Sequence, residues 1–495
     1  MKRILVLGAG KSSTSLIEYL IRNASAEDWH VDIADMNLGI AASKAGDGRF
    51  ATAHQISGIE DELVLKLVRA SDLVISLLPP PLHPAVAALC LQYGKHFLNA
   101  SYLGPEIRAM EQDVQKRGLV FLCEMGLDPG IDHMSAMAMA DEIRGKGGEI
   151  VLFRSHCGGL VAPESDDNPW HYKISWNPRN IIMAGKEGAH YREDGKDIHL
   201  AYASLFDPQR VVQIPGFGKY AWYPNRDSLS YMPTYGMKQV PTFVRTTLRH
   251  PDFCAGWKHI VQLKLTDETV YYDTDGMTVS AFFQIHFDRF GFTEWLQEML
   301  SRRFNETRAY LEHLISLLEK NPGGASEGDQ FLAVDPSGNL KGTSLASEKA
   351  VATEAMKQQM DEANLALEQL FFLGLDSPEM INQGRKTAAE ILQWIMEKKL
   401  ALAAGDRDMI VMLHEIGYRL DGVQRMMRSH LVVRGDDALH TAMAKTVGLP
   451  LGISAGLILQ GKLRPGVQIP VSADIYQLVL PVLEREGIRF ADIRE

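Results

Sequence analysis

The opening segment carries the feature that most constrains the fold, a short apolar strand that runs directly into a pair of glycines. Residues 3–7 have the strand pattern, residues 8–10 read Gly-Ala-Gly, and residues 14–22 repeat apolar side chains at helical spacing. A second apolar strand, residues 31–34, ends at Asp35. A G-x-G turn between a strand and a helix brings the backbone close to a pyrophosphate, which the helix N-terminus attracts. The segment therefore predicts the first unit of a dinucleotide-binding domain.

The turn departs from the full G-x-G-x-x-G pattern at its third glycine. Gly8 and Gly10 are present, Lys11 and Ser12 follow them, and Ser13 occupies the place of the third glycine. Serine is small enough to keep the helix and the strand close together. We predict that these residues line a pyrophosphate site, and a tight turn that binds no ligand is the alternative.

Asp35 bears on which dinucleotide the turn would bind. A carboxylate at this strand end accepts hydrogen bonds from both ribose hydroxyls and repels a 2′-phosphate. No arginine follows at once, because the next residues are Met36 and Asn37. We predict NAD as the cofactor in preference to NADP. A solvent-exposed turn aspartate without a ligand is the alternative.

The rest of the chain changes its pattern several times. Strands and helices alternate as far as residue 124, which predicts a parallel, doubly wound sheet. Residues 200–250 are rich in Pro, Gly, Tyr and Arg, and we expect loops around a site there. Residues 290–405 are strongly helical in pattern, with a linker-like segment at 321–330. Two strands and then a helical region are expected beyond residue 408.

Charge and cysteine usage exclude several classes of function. The formal net charge is −11 and no long Lys/Arg run is present, which argues against a nucleic-acid surface. The four cysteines form no C-x-x-C pair, so no metal site is expected and a reducing, cytoplasmic location is favoured. No uninterrupted apolar run reaches membrane-spanning length, so we expect no membrane contact.

The segment C-E-M-G-L-D-P-G-I-D-H, residues 123–133, stands where a strand leaves the sheet and a helix begins. Ligands of open α/β sheets bind at such strand ends. Asp128 precedes a proline, which keeps it out of the helix, so it is either a functional carboxylate or a helix cap. Asp132 and His133 lack the partners that a metal site would need.

Five further positions stand out, each with an ordinary alternative. A Ser-Tyr pair at a strand end, Ser101 and Tyr102, donates to a carboxylate or caps the next turn. Cys157 is a poised thiol or a small buried residue. Arg226 and Arg249 lie in loop-like sequence, where guanidinium groups suit carboxylates, although a lone surface arginine is usually only solvated.

Taken together, several motifs resemble the saccharopine dehydrogenase (glutamate-forming) family along the whole chain. They are C-E-M-G-L-D-P-G-I-D-H, S-H-C-G-G-L-V-A-P-E, N-P-W-H-Y-K-I-S-W-N-P-R, Y-P-N-R-D-S, R-T-T-L-R and T-V-G-L-P-L-G-I-S-A. The resemblance implies an α/β fold: a Rossmann-type parallel sheet completed by the C-terminal tail, and a mixed α/β substrate domain with a helical insertion. The expected divisions are 1–125 (dinucleotide-binding), 126–250 (substrate domain), 251–405 (helical insertion), 406–436 (return strands) and 437–495 (helices packing back on the first domain).

The resemblance also implies roles for individual residues. The substrate-binding positions are Ser101, Tyr102, Asp128, Arg226, Thr247, Leu248 and Arg249. The cofactor-facing positions beyond the turn are Ala100, Leu127, Pro129 and Ser175. Asp128 matches the acid beside the amine and the nicotinamide, and Cys157 matches a cysteine near the reaction centre.

The implied reaction oxidises a secondary amine to an imine, which water splits into glutamate and 2-aminoadipate 6-semialdehyde. Hydride leaves only when the amine nitrogen has a free lone pair, so a base must hold the proton. Asp128 and Cys157 are the expected acid–base groups, with Tyr102 as a further candidate. We expect an NAD-linked enzyme of lysine breakdown, a homodimer acting on a small molecule with several carboxylates. The alternatives are an NADP-linked reductase of lysine biosynthesis, an imine reductase that makes a carboxylated polyamine, and a non-catalytic nucleotide sensor.

Overall fold

A computed structural model describes residues 1–301, 330–334, 340–344 and 364–494. Residues 321–329 of the expected linker and much of the helical segment expected at 290–405 lie outside the described residues, while residue 330 begins a strand. In chain order the strands are β1 Lys2–Leu7, β2 Trp29–Asp35, β3 Ala51–Gln55, β4 Leu73–Ser76, β5 His96–Asn99, β6 Val120–Leu122, β7 Glu149–Val161, β8 Ala189–Glu193, β9 Lys196–Leu200, β10 Val211–Ile214, β11 Gly218–Pro224, β12 Thr242–Arg249, β13 Tyr271–Asp273, β14 Gln330–Val334, β15 Leu340–Ser344, β16 Arg385–Thr387, β17 Asp408–Leu420, β18 Val423–Arg434, β19 Gly466–Gln468 and β20 Phe490–Arg494. The helices are α1 Thr14–Glu27, α2 Leu38–Ala45, α3 Glu62–Ala70, α4 His83–Tyr93, α5 Pro105–Arg108, α6 Glu111–Lys116, α7 Ile131–Gly145, α8 Pro178–Met183, α9 Tyr231–Thr234, α10 Pro251–Gln262, α11 Val279–Phe290, α12 Ala388–Lys399, α13 Ala442–Leu459 and α14 Ala473–Arg485.

The first sheet has seven parallel strands in the order β3-β2-β1-β4-β5-β6-β19. Strands β1 and β4 are almost continuously apolar and buried, as expected for strands covered by helices on both faces. Chain order reverses between β1 and β4, which is where such sheets bind ligands at their carboxyl edge. Because β19 comes from the far end of the chain, the predicted Rossmann-type sheet completed by the C-terminal tail is confirmed.

The second sheet is mixed and has nine strands, with β10-β11-β12-β7-β17-β18-β20 in order and β8 and β9 attached beside β12. Only the β7–β12 pair is parallel among the pairs of this sheet. The long strands β7 and β17 form its centre. The predicted α/β fold class with a mixed substrate domain is therefore confirmed.

The prediction of loops over residues 200–250 is wrong in part, because β10, β11 and β12 occupy this stretch. Arg249, expected in a loop, is the last residue of β12, and Arg245 lies within the same strand. Both arginines are buried, at 4% and 3% exposure, and each donates from a terminal nitrogen to an acceptor inside the protein. Charged side chains interrupt the apolar pattern from which a strand is recognised, so this strand was missed.

Helix α13 packs very closely on helix α1, which follows the glycine turn. A Cβ atom on Gly448 would lie 2.5 Å from the backbone nitrogen of Leu16, and one on Gly452 would lie 2.6 Å from the ring of Tyr19. The absence of side chains at these two positions therefore sets how near the helices approach. Gly456, further along α13, has no neighbour closer than 3.7 Å to such an atom.

Helix α13 also has the length and the apolar composition of a membrane span, with 18 residues and a mean hydropathy of 1.5. However, 72% of it is buried within the protein, as is common for a core helix.

The chain divides into two compact units, one formed by Met1–Asp167, His171–Pro251 and Leu400–Glu495 and the other by Asn168–Trp170 and Asp252–Lys399. The second unit is mainly helical in its described residues, and Phe253 and Trp257 stack in its core with ring centres 5.3 Å apart. All the residues of the candidate site described below belong to the first unit.

Candidate active site

The glycine turn leaves open space where a pyrophosphate would approach. Gly8 has φ +99°, and a Cβ there would lie 3.0 Å from the carbonyl oxygen of Leu77, so only glycine fits. A Cβ on Gly10 would meet nothing within 4 Å, so the protein's own packing does not require this glycine. Gly10 precedes a short turn, Lys11–Ser13, that leads into α1. The turn therefore fits a pyrophosphate at the start of a helix.

Asp35 lies at the carboxyl end of β2 and is tied to the turn. Its Oδ2 accepts from the backbone N–H of Ala9 at 2.7 Å, and its Oδ1 accepts from the N–H of Asn37 at 2.9 Å. The strand end thus holds the carboxylate beside the turn, where the sequence placed it.

Lys44 in α2 contacts the glycine turn, a contact that the sequence analysis did not predict. Its Nζ donates to the carbonyl oxygen of Gly10 at 2.7 Å and to Oγ of Ser13 at 2.8 Å. Burial lowers the pKa of Lys44 to about 8, although the charge of Asp35 opposes the shift. Ser13 donates in turn to the Gly10 carbonyl at 2.9 Å. Serine in place of the third glycine is therefore a hydrogen-bonding link to a lysine as well as a small spacer.

Two other predicted cofactor positions lie near the turn. Lys11 Nζ is 3.4 Å from the carbonyl oxygen of Ile174, directly before Ser175. Ser175 is buried and hydrogen-bonds Asp408, whose carboxylate also accepts from the N–H of Ala442 at 2.6 Å at the start of α13. Ser175 is thus fixed next to the turn by a buried carboxylate, while Ser12 remains partly exposed within it.

The segments after β5 and β6 run side by side at the carboxyl edge of the first sheet. The N–H of Glu124 donates to the carbonyl of Ser101 at 3.0 Å, and a Cβ on Gly126 would lie 2.9 Å from Cβ of Ala100. Leu127 and Pro129 are buried in the second of these segments. The predicted cofactor-facing residues after both strands therefore share one edge.

Asp128 is the centre of the polar contacts at this edge. Its Oδ1 accepts from the hydroxyl of Tyr102 at 3.1 Å and from a terminal nitrogen of Arg245 at 2.7 Å. Its Oδ2 accepts from Nδ2 of Asn225 at 3.3 Å. The same Arg245 nitrogen also donates to Oδ2 of Asp132 at 2.7 Å. The structure thus unites Tyr102 and Asp128, and it adds three side chains that the sequence analysis had not assigned to the site.

The two carboxylates differ in how readily they take up a proton. Burial, followed by the charge of Asp132, raises the pKa of Asp128, although Arg245 opposes the shift. Burial would raise the pKa of Asp132 too, but His133 and Arg245 bring it below its ordinary value. A proton taken up by the pair therefore favours Asp128, and the negative charge favours Asp132.

Next to this pair, Glu124, His133, Tyr231 and Tyr235 form a second hydrogen-bonded group. His133 Nε2 bonds Oε2 of Glu124 at 2.8 Å, and its Nδ1 bonds the hydroxyl of Tyr235. Tyr231 donates to the same Glu124 oxygen at 3.0 Å. Glu124 has φ +59°, a backbone conformation uncommon for a non-glycine residue. The His133 imidazole is thus held between a carboxylate and a phenol.

Ser101 is held by a buried histidine. His83 Nε2 bonds Oγ of Ser101 at 2.9 Å, and its Nδ1 bonds Oγ of Ser76 at 2.9 Å. Burial lowers the pKa of His83 to about 4, so the imidazole is neutral near pH 7. One of its nitrogens therefore donates and the other accepts, which orients both hydroxyls.

The predicted substrate arginines differ in exposure. Arg226 is exposed, has φ +50°, and holds its guanidinium carbon 5.1 Å from the centre of the Tyr102 ring. Arg249 is buried, donates to the carbonyl of Leu248 at 2.9 Å, and lies 5.3 Å from the centre of the Tyr172 ring. Only Arg226 is thus on the surface of the site.

Cys157 and Thr247 are register neighbours on β7 and β12. Burial, then the charges of Asp128 and Asp132, raise the pKa of Cys157 well above its ordinary value, so it is a thiol at neutral pH. The side chain of Leu248 belongs to a separate hydrophobic cluster with Leu160 and Val411, so the structure does not bring it together with these groups.

The fold and the site define a Rossmann-type nucleotide-binding protein with a hydrogen-bonded cluster of charged side chains at the carboxyl edge of its first sheet. The family model described as the saccharopine dehydrogenase NADP binding domain matches residues 4–122, and that described as the saccharopine dehydrogenase C-terminal domain matches residues 126–488. The chain belongs to the saccharopine dehydrogenase family.

Three known proteins illustrate the relationship. The chain is 30% identical over 521 residues to alpha-aminoadipic semialdehyde synthase of Arabidopsis thaliana and 32% identical over 507 residues to the mitochondrial enzyme of that name from Bos taurus. These alignments cover 99% of this chain but only 45% and 47% of those proteins. Saccharopine dehydrogenase [NADP(+), L-glutamate-forming] of Saccharomyces cerevisiae is 28% identical, with 98% and 97% covered. The solved apo structure of saccharopine dehydrogenase (L-Glu forming) from the same yeast matches with a TM-score of 0.74 at 26% identity, covering 100% of both chains.

Proposed function

We propose that this protein is an NAD-linked oxidoreductase that cleaves saccharopine to L-glutamate and 2-aminoadipate 6-semialdehyde in lysine breakdown. The observation that carries the proposal is the partly buried Asp128, in contact with Tyr102 and Arg245 at the carboxyl edge of the nucleotide-binding sheet. The names of the full-length yeast relatives supply the substrate.

Asp128 supplies the base that this chemistry needs. A bound nicotinamide would accept the hydride from the carbon beside the amine. Asp128 accepts the amine proton, so the nitrogen lone pair is free to form the imine as hydride leaves. Water then adds to the imine carbon and loses one proton to solvent. Asp128 returns its proton to the nitrogen as the carbon–nitrogen bond breaks, and the remaining hydroxyl proton leaves to solvent as the aldehyde carbonyl forms. Tyr102 and Cys157 keep their protons near neutral pH, because burial raises the pKa of both groups.

The arginines supply the recognition of substrate carboxylates. Arg226 is exposed beside Tyr102 and suits a carboxylate that arrives from solvent. Thr247 and Arg249, on the same face of β12, would serve a carboxylate that enters more deeply.

The test is a matched set of assays with purified protein, saccharopine and either NAD or NADP, followed by the absorbance of the reduced nicotinamide. We expect turnover with saccharopine and NAD. Absence of turnover with both nucleotides would refute the proposal. Binding of NAD without binding of saccharopine, measured by calorimetry, would favour a nucleotide sensor instead.

The NADP-linked enzyme is the second candidate, since the family model and the yeast relative both carry NADP in their names. Asp35 is the reason for preferring NAD, because its carboxylate is held beside the turn and would repel a 2′-phosphate. Replacement Asp35→Ala should therefore lower the ratio of kcat/KM for NAD to that for NADP by about tenfold or more. An unchanged ratio would show that Asp35 does not select the nucleotide.

We also propose that the protein acts as a cytoplasmic homodimer on a small tricarboxylate, without nucleic-acid or membrane partners. Light scattering of the purified protein tests the oligomeric state, and a monomer mass would contradict it.

A further inference from the structure

The candidate centre has a buried carboxylate, Asp132, and a partly buried one, Asp128, whose side chain is 13% exposed, and the guanidinium of Arg245 lies between them. Asp132 is 2% exposed and Arg245 is 3% exposed. A single terminal nitrogen of Arg245 lies 2.7 Å from Oδ1 of Asp128 and 2.7 Å from Oδ2 of Asp132. If both carboxylates were ionised, this group of three would carry a net negative charge away from water. Such a charge is unfavourable, so one carboxylate takes up a proton more easily.

The contacts around the two carboxylates decide which of them is protonated. Asp132 accepts the backbone N–H of Gly130 at 2.7 Å, and His133 Nδ1 lies 3.9 Å from its other oxygen. Asp128 has the Tyr102 hydroxyl at 3.1 Å and the Asn225 amide at 3.3 Å, both neutral donors and both farther away than the Gly130 N–H is from Asp132. Asp132 thus has the contacts that better stabilise a negative charge.

We propose that Asp132 and Arg245 are positioning residues that keep the negative charge on Asp132 and hold Asp128 ready to exchange a proton with substrate. Neither residue needs to contact the reacting atoms. The role deepens the proposed function and rests on it for the identity of the reaction, but the arrangement of protons is a property of the protein itself.

Other polar and titratable groups lie around Asp128, Asp132 and their partners. They are Tyr102 after β5, Glu124 after β6, His133 on α7, Cys157 on β7, Asn225 and Arg226 after β11, Tyr235 after α9, and His414 on β17. Burial keeps the phenols of Tyr102 and Tyr235 and the thiol of Cys157 protonated, and it lowers the pKa of His414 to about 4, so these four groups stay neutral near pH 7. Glu124 is paired with His133 at 2.8 Å. Arg245 and Asp132 are therefore the ionised groups nearest to Asp128.

Two substitutions should shift the pKa of Asp128 in opposite directions. Asp132→Asn keeps an oxygen that accepts from Gly130 but removes the repelling charge, so the pKa of Asp128 should fall by about one unit. Arg245→Met removes the attracting charge, so this pKa should rise by a similar amount. In the oxidative direction Asp128 must be deprotonated, so the acid limb of the kcat/KM–pH profile should shift with each variant. Glu142→Gln, which removes a carboxylate further along α7, is the matched control and should leave the limb in place.

The decisive readout does not require activity. In protein labelled with ¹³C at the aspartate carboxyl carbons, the titration of Asp128 is assigned by its loss in Asp128→Asn and followed by NMR. We expect wild-type Asp128 to titrate above the ordinary aspartate value while Asp132 stays ionised, and Asp132→Asn to lower the Asp128 midpoint. Asp132 titrating first in the wild type, or an Asp128 midpoint that does not move in a folded Asp132→Asn variant, would overturn the proposal. The wild-type titration decides even if both variants fail to fold, and it decides whether or not saccharopine proves to be the substrate.

Discussion

At the scale of single residues, burial and neighbouring charges set how readily each polar side chain of the site takes up a proton. Burial and a second carboxylate raise the pKa of Asp128, to which the proposed function gives the proton transfer. His83 does not exchange one near neutral pH, because burial keeps it neutral between two serine hydroxyls. Burial therefore produces an active acid in one place and a passive support in the other.

Replacement Asp128→Asn removes the base and keeps the shape of the side chain. We expect kcat for saccharopine oxidation to fall by about 10²–10⁴, with little change in nucleotide affinity, because the lost function is proton transfer. Steady-state kinetics and calorimetric titration with NAD measure the two effects. The exposed Asp113→Asn is the control, and a loss of kcat below fivefold in Asp128→Asn would argue for a different base.

Replacement His83→Ala should affect substrate binding more than chemistry. Ser101 would lose the imidazole that orients its hydroxyl, so KM for saccharopine should rise about tenfold while kcat changes less. Because His83 is already neutral near pH 7, the kcat–pH profile should keep its midpoint. A displaced midpoint would show that His83 takes part in proton transfer.

At the scale of secondary-structure elements, the contact between α13 and α1 fixes the helix that follows the nucleotide turn. Helix α13 lies so close to α1 that a Cβ on Gly448 would touch the backbone at Leu16, and glycine makes this approach possible. The turn itself has serine where a third glycine is usual. Close helix packing beneath this turn therefore uses glycines from a distant part of the chain as well.

Gly448→Ala should destabilise the protein by about 1–3 kcal/mol, because a new methyl group would meet backbone that cannot move aside. Gly456→Ala on the same helix is the matched control, since its nearest neighbour lies 3.7 Å from the new atom. It should be neutral or stabilising by up to about 1 kcal/mol. Urea unfolding measures both changes, and equal effects of the two substitutions would contradict the role given to Gly448.

Local sequence patterns predicted the elements that form from neighbouring residues. They did not predict contacts between residues that are far apart in the sequence. The glycine turn and Asp35 were found because strand, turn and helix follow one another directly. Lys44 was missed because nothing in a linear sequence shows that its amine returns to the Gly10 carbonyl. Arg245 was passed over because a charged residue inside a strand has meaning only once its partners are known. The separate roles of Asp128 and Tyr102 followed from the resemblance, whereas the contact between the two side chains appeared only with the fold.

At the scale of the whole molecule, buried neutral histidines make stability depend on pH. Burial lowers the pKa of His83 and of His414 from 6.5 to about 4. The unfolded chain binds these protons near pH 6.5, and the folded protein binds them only near pH 4. Stability is therefore complete above pH 6.5 and falls as the pH drops through this window, by on the order of 3 kcal/mol for each histidine.

Urea unfolding measured between pH 7 and pH 4.5 checks this expectation. His414→Gln should flatten the decline, since it removes one of the histidines whose pKa is lowered by burial; His96 and His286 have pKa values shifted in the same direction as those of His83 and His414. The exposed His199→Gln should leave the slope as it is. A wild-type free energy of unfolding that stays constant down to pH 4.5 would contradict the buried, neutral state of both histidines.

Strand β19 pairs with β6 although most of the chain separates them in sequence. During synthesis on the ribosome, the six earlier strands of the nucleotide-binding sheet emerge long before their last neighbour. The edge of β6 cannot pair with β19 until residue 468 has been made. An exposed strand edge can pair with strands of other chains. Nascent chains should therefore depend on chaperones during this interval, and a protein truncated before β19 should aggregate rather than form a separate nucleotide-binding domain.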